Sequence, residues 1–132
     1  MPIRLPRILD NKKHVYVFAI ESLKLEVYVA SRQFVLECYR LTKILPAEER
    51  FGIVTQIRRA ALSVHLNIAE GSSRKSETER KRYYEIARGS LIEIDAALDI
   101  ANDLEYLKDF ELKKLAESMI NCFKLLCGLI KN

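Results

Sequence analysis

The side chains best suited to chemistry fall into three groups. The first is a polar row, Gln56, Arg59, Ser63, Asn67 and Glu70. At about 100° per residue they share one face of a helix. Such a row can form a hydrogen-bond network that sets helix register, line a ligand pocket, or face solvent. The network is the expectation here, with Ser90 and Glu93 of a following antiparallel helix as partners. Removing one member of such a network strands another, which is costly. The second group is basic: Arg58 and Arg59, joined by Arg74, Lys75, Arg80, Lys81, Arg82 and Arg88. Clustered cations suit phosphate, and Tyr83 and Tyr84 among them could stack on bases. Glu77, Glu79 and Glu85 dilute the charge, so a solvated face is the plain alternative. The third group is Cys38 with His65. They can be drawn as nucleophile and base, yet both stand at packing positions. His65 is read as a packed or interfacial histidine.

None of these groups completes a catalytic constellation. A di-metal bundle needs Glu-x-x-His on two helices, but Asn11 and Leu62 precede His14 and His65 by three residues. There is no H-E-x-x-H, no phosphate-binding loop and no dinucleotide fingerprint. No catalytic, cofactor-binding or metal-binding residue is assigned, and the chain is read as non-enzymatic. The net charge of +4, from 22 Lys and Arg against 18 Asp and Glu, permits contact with phosphates without demanding it. Cys38, Cys122 and Cys127 are odd in number and lack C-x₂-C spacing, so they read as reduced thiols that act as small apolar residues of helices in a cytoplasmic protein. Val15–Ile20 is too short for a signal core or a bilayer span, so no membrane partner is expected.

The elements that must position these groups are helical. The chain has 132 residues, 49% of them hydrophobic, and four glycines, consistent with one domain and one core. Residues 1–22 read as an N-terminal arm with Pro2 and Pro6 and several basic residues. Within it Val15–Ile20 is a helical turn or a segment laid on the bundle, with an exchanged edge strand as the alternative. Residues 23–132 read as the bundle. The first helix is expected over Leu23–Leu45, with Val27, Phe34, Cys38, Leu41 and Leu45 inward. Pro46 ends it and opens the second helix, with Glu48 and Glu49 near its positive end. That helix is expected to run to Glu70 and stop at Gly71. Ser76 and Glu79 form a capping box for a third helix reaching Leu104. Gly89 within it suggests close approach of a neighbour. Asp109 is the expected cap of a fourth helix. Short connections then give an all-α, antiparallel up-down-up-down four-helix bundle with an N-terminal extension.

The second helix carries more apolar surface than one such bundle can bury. Val54, Ile57, Ala61, Val64 and Ile68 form its core stripe. Phe51, Leu62, Leu66 and Ala69 form another strip, set apart by polar residues. A bundle helix ordinarily buries one broad face, so Phe51, Leu62 and Leu66 are expected to meet another copy of the protein.

Several runs also resemble a known family. They are L-x-V-Y at Leu25–Tyr28, Y-x-L-T at Tyr39–Thr42, P-x-E-E-R at Pro46–Arg50, Q-x-R-R-A at Gln56–Ala60, S-x-x-x-N-I-A-E-G at Ser63–Gly71 and A-x-G-S-L-x-E at Ala87–Glu93. Together they resemble the bacterial four-helix-bundle proteins called 23S rRNA intervening-sequence or S23 ribosomal family proteins. They are also similar to the accessory variability determinant proteins of retroelements. The resemblance implies a homopentamer and a link to RNA or DNA. It marks Gln56, Arg59, Asn67, Glu70, Gly71, Ser90 and Glu93 as structural motif positions. The expected function is a weakly nucleic-acid-binding accessory protein using Arg58, Arg74, Lys75, Arg80, Lys81 and Arg82. The alternative is a scaffold for an unidentified protein partner, without nucleic acid.

Overall fold

The computed structural model describes residues 22–131. They form four helices: α1 Ser22–Thr42, α2 Ile53–Ser73, α3 Glu77–Asp103 and α4 Lys113–Lys131. The described residues contain no strand. The N-terminal arm and the alternatives for Val15–Ile20 lie outside the described residues.

The helices pack in the cyclic order α1–α2–α3–α4, and the diagonal pairs make no close backbone approach. Side-chain pairs give the directions. Tyr28 meets His65 while Thr42 meets Arg58, so α1 and α2 run oppositely. Ser72 meets Tyr84 while Gln56 meets Glu93, so α2 and α3 do too. Arg88 reaches Cys127, whereas Leu98 shares a groove with Leu112, which sets α4 against α3.

The stripes at 3-4 spacing supply the core. Val27, Phe34, Cys38 and Leu41 meet Ile57, Ala61, Val64 and Ile68, then Tyr84, Ala87, Leu91 and Ile94, then Leu115, Cys122 and Leu126. Burying each large aliphatic or aromatic side chain contributes about 1.5–3 kcal/mol. Val54, Leu98, Leu112, Met119 and Leu129 pack against this core while staying partly exposed.

The helix ends differ from expectation in four places. First, α1 stops at Thr42, although Leu45 beyond it is still buried. Second, Pro46 opens a 3-10 turn at Ala47–Glu49 rather than α2 itself. That turn aims Glu49 at α2, where its Oε1 accepts from the Ile53 N–H at 3.3 Å. The acidic residue therefore does serve the positive end of the helix. Its Oε2 accepts from the Tyr106 hydroxyl at 3.0 Å, tying α2 to the α3–α4 connection. Third, α4 begins at Lys113, whose N–H donates to Glu111 Oε1 at 3.1 Å, so Asp109 is not its cap.

Fourth, Gly71 is not a helix terminator. It lies inside α2, buried and without positive φ. A Cβ at this position would meet Tyr83 Cβ at 2.9 Å, Tyr84 Cε1 at 3.1 Å and the Arg80 carbonyl oxygen at 3.2 Å. The residue is small because α3 starts against it. Gly89, where close packing was expected, has open space around it. The serine half of the expected capping box forms: Ser76 Oγ accepts from the Glu79 N–H at 3.3 Å.

Candidate functional site

The polar row lies along the α2–α3 seam and divides into two linked sets. Gln56 Nε2 donates to Glu93 Oε2 at 2.5 Å. One turn on, Ser90 Oγ donates to Ser63 Oγ at 2.9 Å. Asn67 Nδ2 donates to the Ser63 carbonyl at 2.8 Å and to Ser63 Oγ at 3.1 Å. Ser63, Asn67 and Ser90 are half-buried, whereas Gln56 and Glu93 are exposed. These bonds lock α2 against α3. Glu70 stands apart and pairs with Arg74 at 3.3 Å, while Arg59 is exposed.

The basic residues separate. Arg58 belongs to the opposite end of the bundle: its Nε donates to Thr42 Oγ1 at 2.8 Å and its guanidinium lies 4.8 Å from the Tyr39 ring centroid. It is a clasp between α1 and α2, not a member of the α2–α3 cluster. Arg74 stacks over Tyr83 at 5.1 Å and donates to its hydroxyl at 3.1 Å. Tyr83, and after it Glu70, raise the pKa of Arg74. Arg80 Nη1 donates to the carbonyls of Arg74 and Lys75 at 3.1 and 2.6 Å, which holds the α2–α3 turn. Lys81 pairs with Glu77 at 3.1 Å. Lys75 and Arg82 are exposed and have no ion pair among the described residues. Tyr84 is buried, with its hydroxyl 3.0 Å from Ser72 Oγ, so it has no ring face for a base.

His65 sits in the α1–α2 seam. Its Nδ1 is 2.7 Å from Ser31 Oγ, and its ring is tilted against Tyr28 with centroids 4.6 Å apart. Ser31 Oγ donates to the Tyr28 carbonyl at 2.9 Å. With that proton engaged, Nδ1–H of His65 is the donor to Ser31. Burial, then the charge of Arg32, lowers the His65 pKa. Burial also pushes the Cys38 and Cys122 thiols up to about 12. A thiol so placed holds its proton at neutral pH and is a poor nucleophile. His65 pairs with Ser31, not with Cys38.

Large apolar side chains are also exposed outside the core, among them Val29 and Leu36 of α1 and Ile100 and Leu104 at the end of α3, and two further groups stand out. On the outer side of α2, Leu62 and Leu66 are 40% and 60% exposed, and Phe51, expected on the same strip, lies instead in the turn before the helix and is 86% exposed. Between α3 and α4 runs a cleft of about 360 Å³ lined by Leu91, Ile92, Asp95, Met119, Ile120, Phe123 and Lys124. No helix is long and apolar enough to cross a membrane.

A family profile described as 23S rRNA-intervening sequence protein matches residues 23–128. That span takes in α2 and α3 whole and nearly all of α1 and α4. The chain belongs to the 23S rRNA-intervening sequence protein family. Its fold is similar to a crystal structure from Bacteroides thetaiotaomicron, a protein of unknown function from the S23 ribosomal protein family. The TM-score is 0.74 at 24% identity, covering 83% of this chain and 99% of that one. No curated protein matches the chain significantly.

Some residues that hold this member of the 23S rRNA-intervening sequence family together escaped the sequence reading. Ser31 is fully buried. It lies four residues after Val27 and three before Phe34, so a serine on the core stripe was the available signal. Thr42 ends the Y-x-L-T run, but nothing in that run marked it as the acceptor of Arg58, and nothing marked Tyr106 as the partner of Glu49, because both pairings join separate elements.

Proposed function

We propose that the protein is a non-enzymatic homo-oligomer, a pentamer as the family resemblance implies, which makes weak contact with RNA or DNA in a reducing cytoplasm. The exposure of Phe51, Leu62 and Leu66 carries the assembly half of this reading. Leu62 and Leu66 on α2, and Phe51 in the turn before it, gain stability only when a partner covers them. The free cations at the α2–α3 turn support the other half. Lys75 and Arg82 are the charges left available once Arg74, Arg80 and Lys81 have met their own chain. Repetition around an assembly multiplies a weak site. The family's description as 23S rRNA-intervening sequence proteins supports this direction.

Light scattering tests the assembly directly. Wild-type protein is expected as a multimer, and Leu62→Glu with Leu66→Glu as smaller species of unchanged helicity. A wild-type monomer ends the proposal. Binding to mixed RNA and DNA is expected to weaken steeply with salt, and Lys75→Glu with Arg82→Glu is expected to weaken it further. The engagement of Arg74, Arg80 and Lys81 within the chain favours a second reading, a protein-interaction scaffold. Absence of binding at low salt supports that reading instead.

A further inference from the structure

Two of the uncovered apolar surfaces differ in shape and lie on opposite sides of the bundle. Leu62 and Leu66 form a ridge on the outer side of α2, and the α3–α4 cleft is concave. In the cyclic order of helices, α3–α4 is the edge opposite α1–α2. Leu62 and Leu66 flank Arg58 and His65, which meet α1, so one two-fold contact cannot engage both the ridge and the cleft on the far edge. A ridge seated in the cleft of the next copy covers both, and because the two surfaces lie on opposite sides, the contact is head-to-tail.

The charges agree with that pairing. Residues 53–69 of α2 carry Arg58 and Arg59 and no acidic residue. Residues 89–107 carry Glu93, Asp95, Asp99, Asp103 and Glu105 and no Lys or Arg. Asp95 lines the cleft itself, with Lys124 of α4 on its other wall. Arg59 is exposed one helical turn before Leu62, where a docked ridge carries it to an acidic rim. Like charges would meet if α3 faced α3, whereas opposite charges meet if α2 faces α3 of another copy.

We infer that a second copy of this chain occupies the α3–α4 cleft, inserting its α2 ridge at Leu62 and Leu66 between Ile92 and Ile120. This rests on the proposal that the protein self-associates and specifies which surfaces join. Every copy then offers one ridge and one cleft, and the assembly grows in one direction until it closes.

Two variants separate this arrangement from any other. The ridge variant is Leu62→Glu with Leu66→Glu. The cleft variant is Ile92→Glu with Ile120→Glu, at residues 57% and 54% exposed. Each alone is expected to sediment as a monomer with wild-type helicity. Mixed in equal amounts, they are expected to give a dimer and nothing larger, since only one intact ridge and one intact cleft remain to meet. A cleft variant of wild-type size, or a dimer of either variant alone, overturns the pairing while leaving self-association intact. A mixture that stays monomeric also overturns it. A wild-type monomer overturns the underlying assembly reading as well. If a glutamate pair lowers helicity, the serine versions at the same positions make the same comparison.

Discussion

At the residue scale, two glycines of opposite consequence stand out. Gly71 faces the first turns of α3 at a distance that leaves no room for a methyl group. The nearest atoms are the Tyr83 Cβ, the ring of the buried Tyr84 and a backbone carbonyl, none of which is the free end of a flexible side chain. Gly71→Ala is expected to lower stability by about 1–3 kcal/mol through overpacking, outweighing the gain in helix propensity. Gly89→Ala meets open space and is expected to raise stability by about 0.5–1 kcal/mol. Thermal melts of the two variants should move in opposite directions. His65 supplies a pH dependence. Its folded-state pKa lies below the usual 6.5, so below that pH the unfolded chain binds more protons than the native one. Stability contributed by neutral His65 is therefore present above pH 6.5 and is lost as pH falls through the lowered pKa. The melting temperature of His65→Gln relative to wild type should rise as the solution is acidified.

At the element scale, α2 and α3 are joined by apolar packing and by the Ser63–Ser90–Asn67 set. Ser63→Ala leaves the Ser90 hydroxyl without its acceptor and weakens the hold on Asn67. A loss of about 1 kcal/mol is expected. Adding Ser90→Ala should cost less than the sum of the single changes, because the stranded donor is gone. Denaturant midpoints in a double-mutant cycle measure that difference. The row was visible in the sequence because Gln56, Ser63, Asn67, Ser90 and Glu93 repeat at helical spacing. That Arg59 and Glu70 stand outside it was not, since a helical wheel gives direction without giving the reach of a neighbour.

At the scale of the whole molecule, the proposed assembly and the proposed binding are coupled. If each subunit contributes only Lys75 and Arg82, affinity should depend on how many subunits are held together. The ridge variant is therefore expected to lose nucleic-acid affinity at least tenfold while keeping both cations. Lys75→Glu with Arg82→Glu should lose affinity while keeping its sedimentation unchanged. Equal binding by the ridge variant and wild type in a salt series would uncouple the two. The arrangement also explains why the charge excess of +4 is enough to consider: a modest field per chain adds up when copies share one side.

The amino-acid sequence by itself determined the helices, their inward stripes and the family. Each of these rests on local periodicity or on contiguous motifs such as N-I-A-E-G. It also exposed the surplus apolar strip on α2, since a stripe beyond the core face is visible on a single helix. Only the tertiary structure decided that Gly71 is a contact and not a stop, that Arg58 clasps Tyr39 and Thr42 far from Lys75, and that Arg74, Arg80 and Lys81 already have partners. Those outcomes depend on distances between residues remote in the chain, and spacing along one helix carries no information about them.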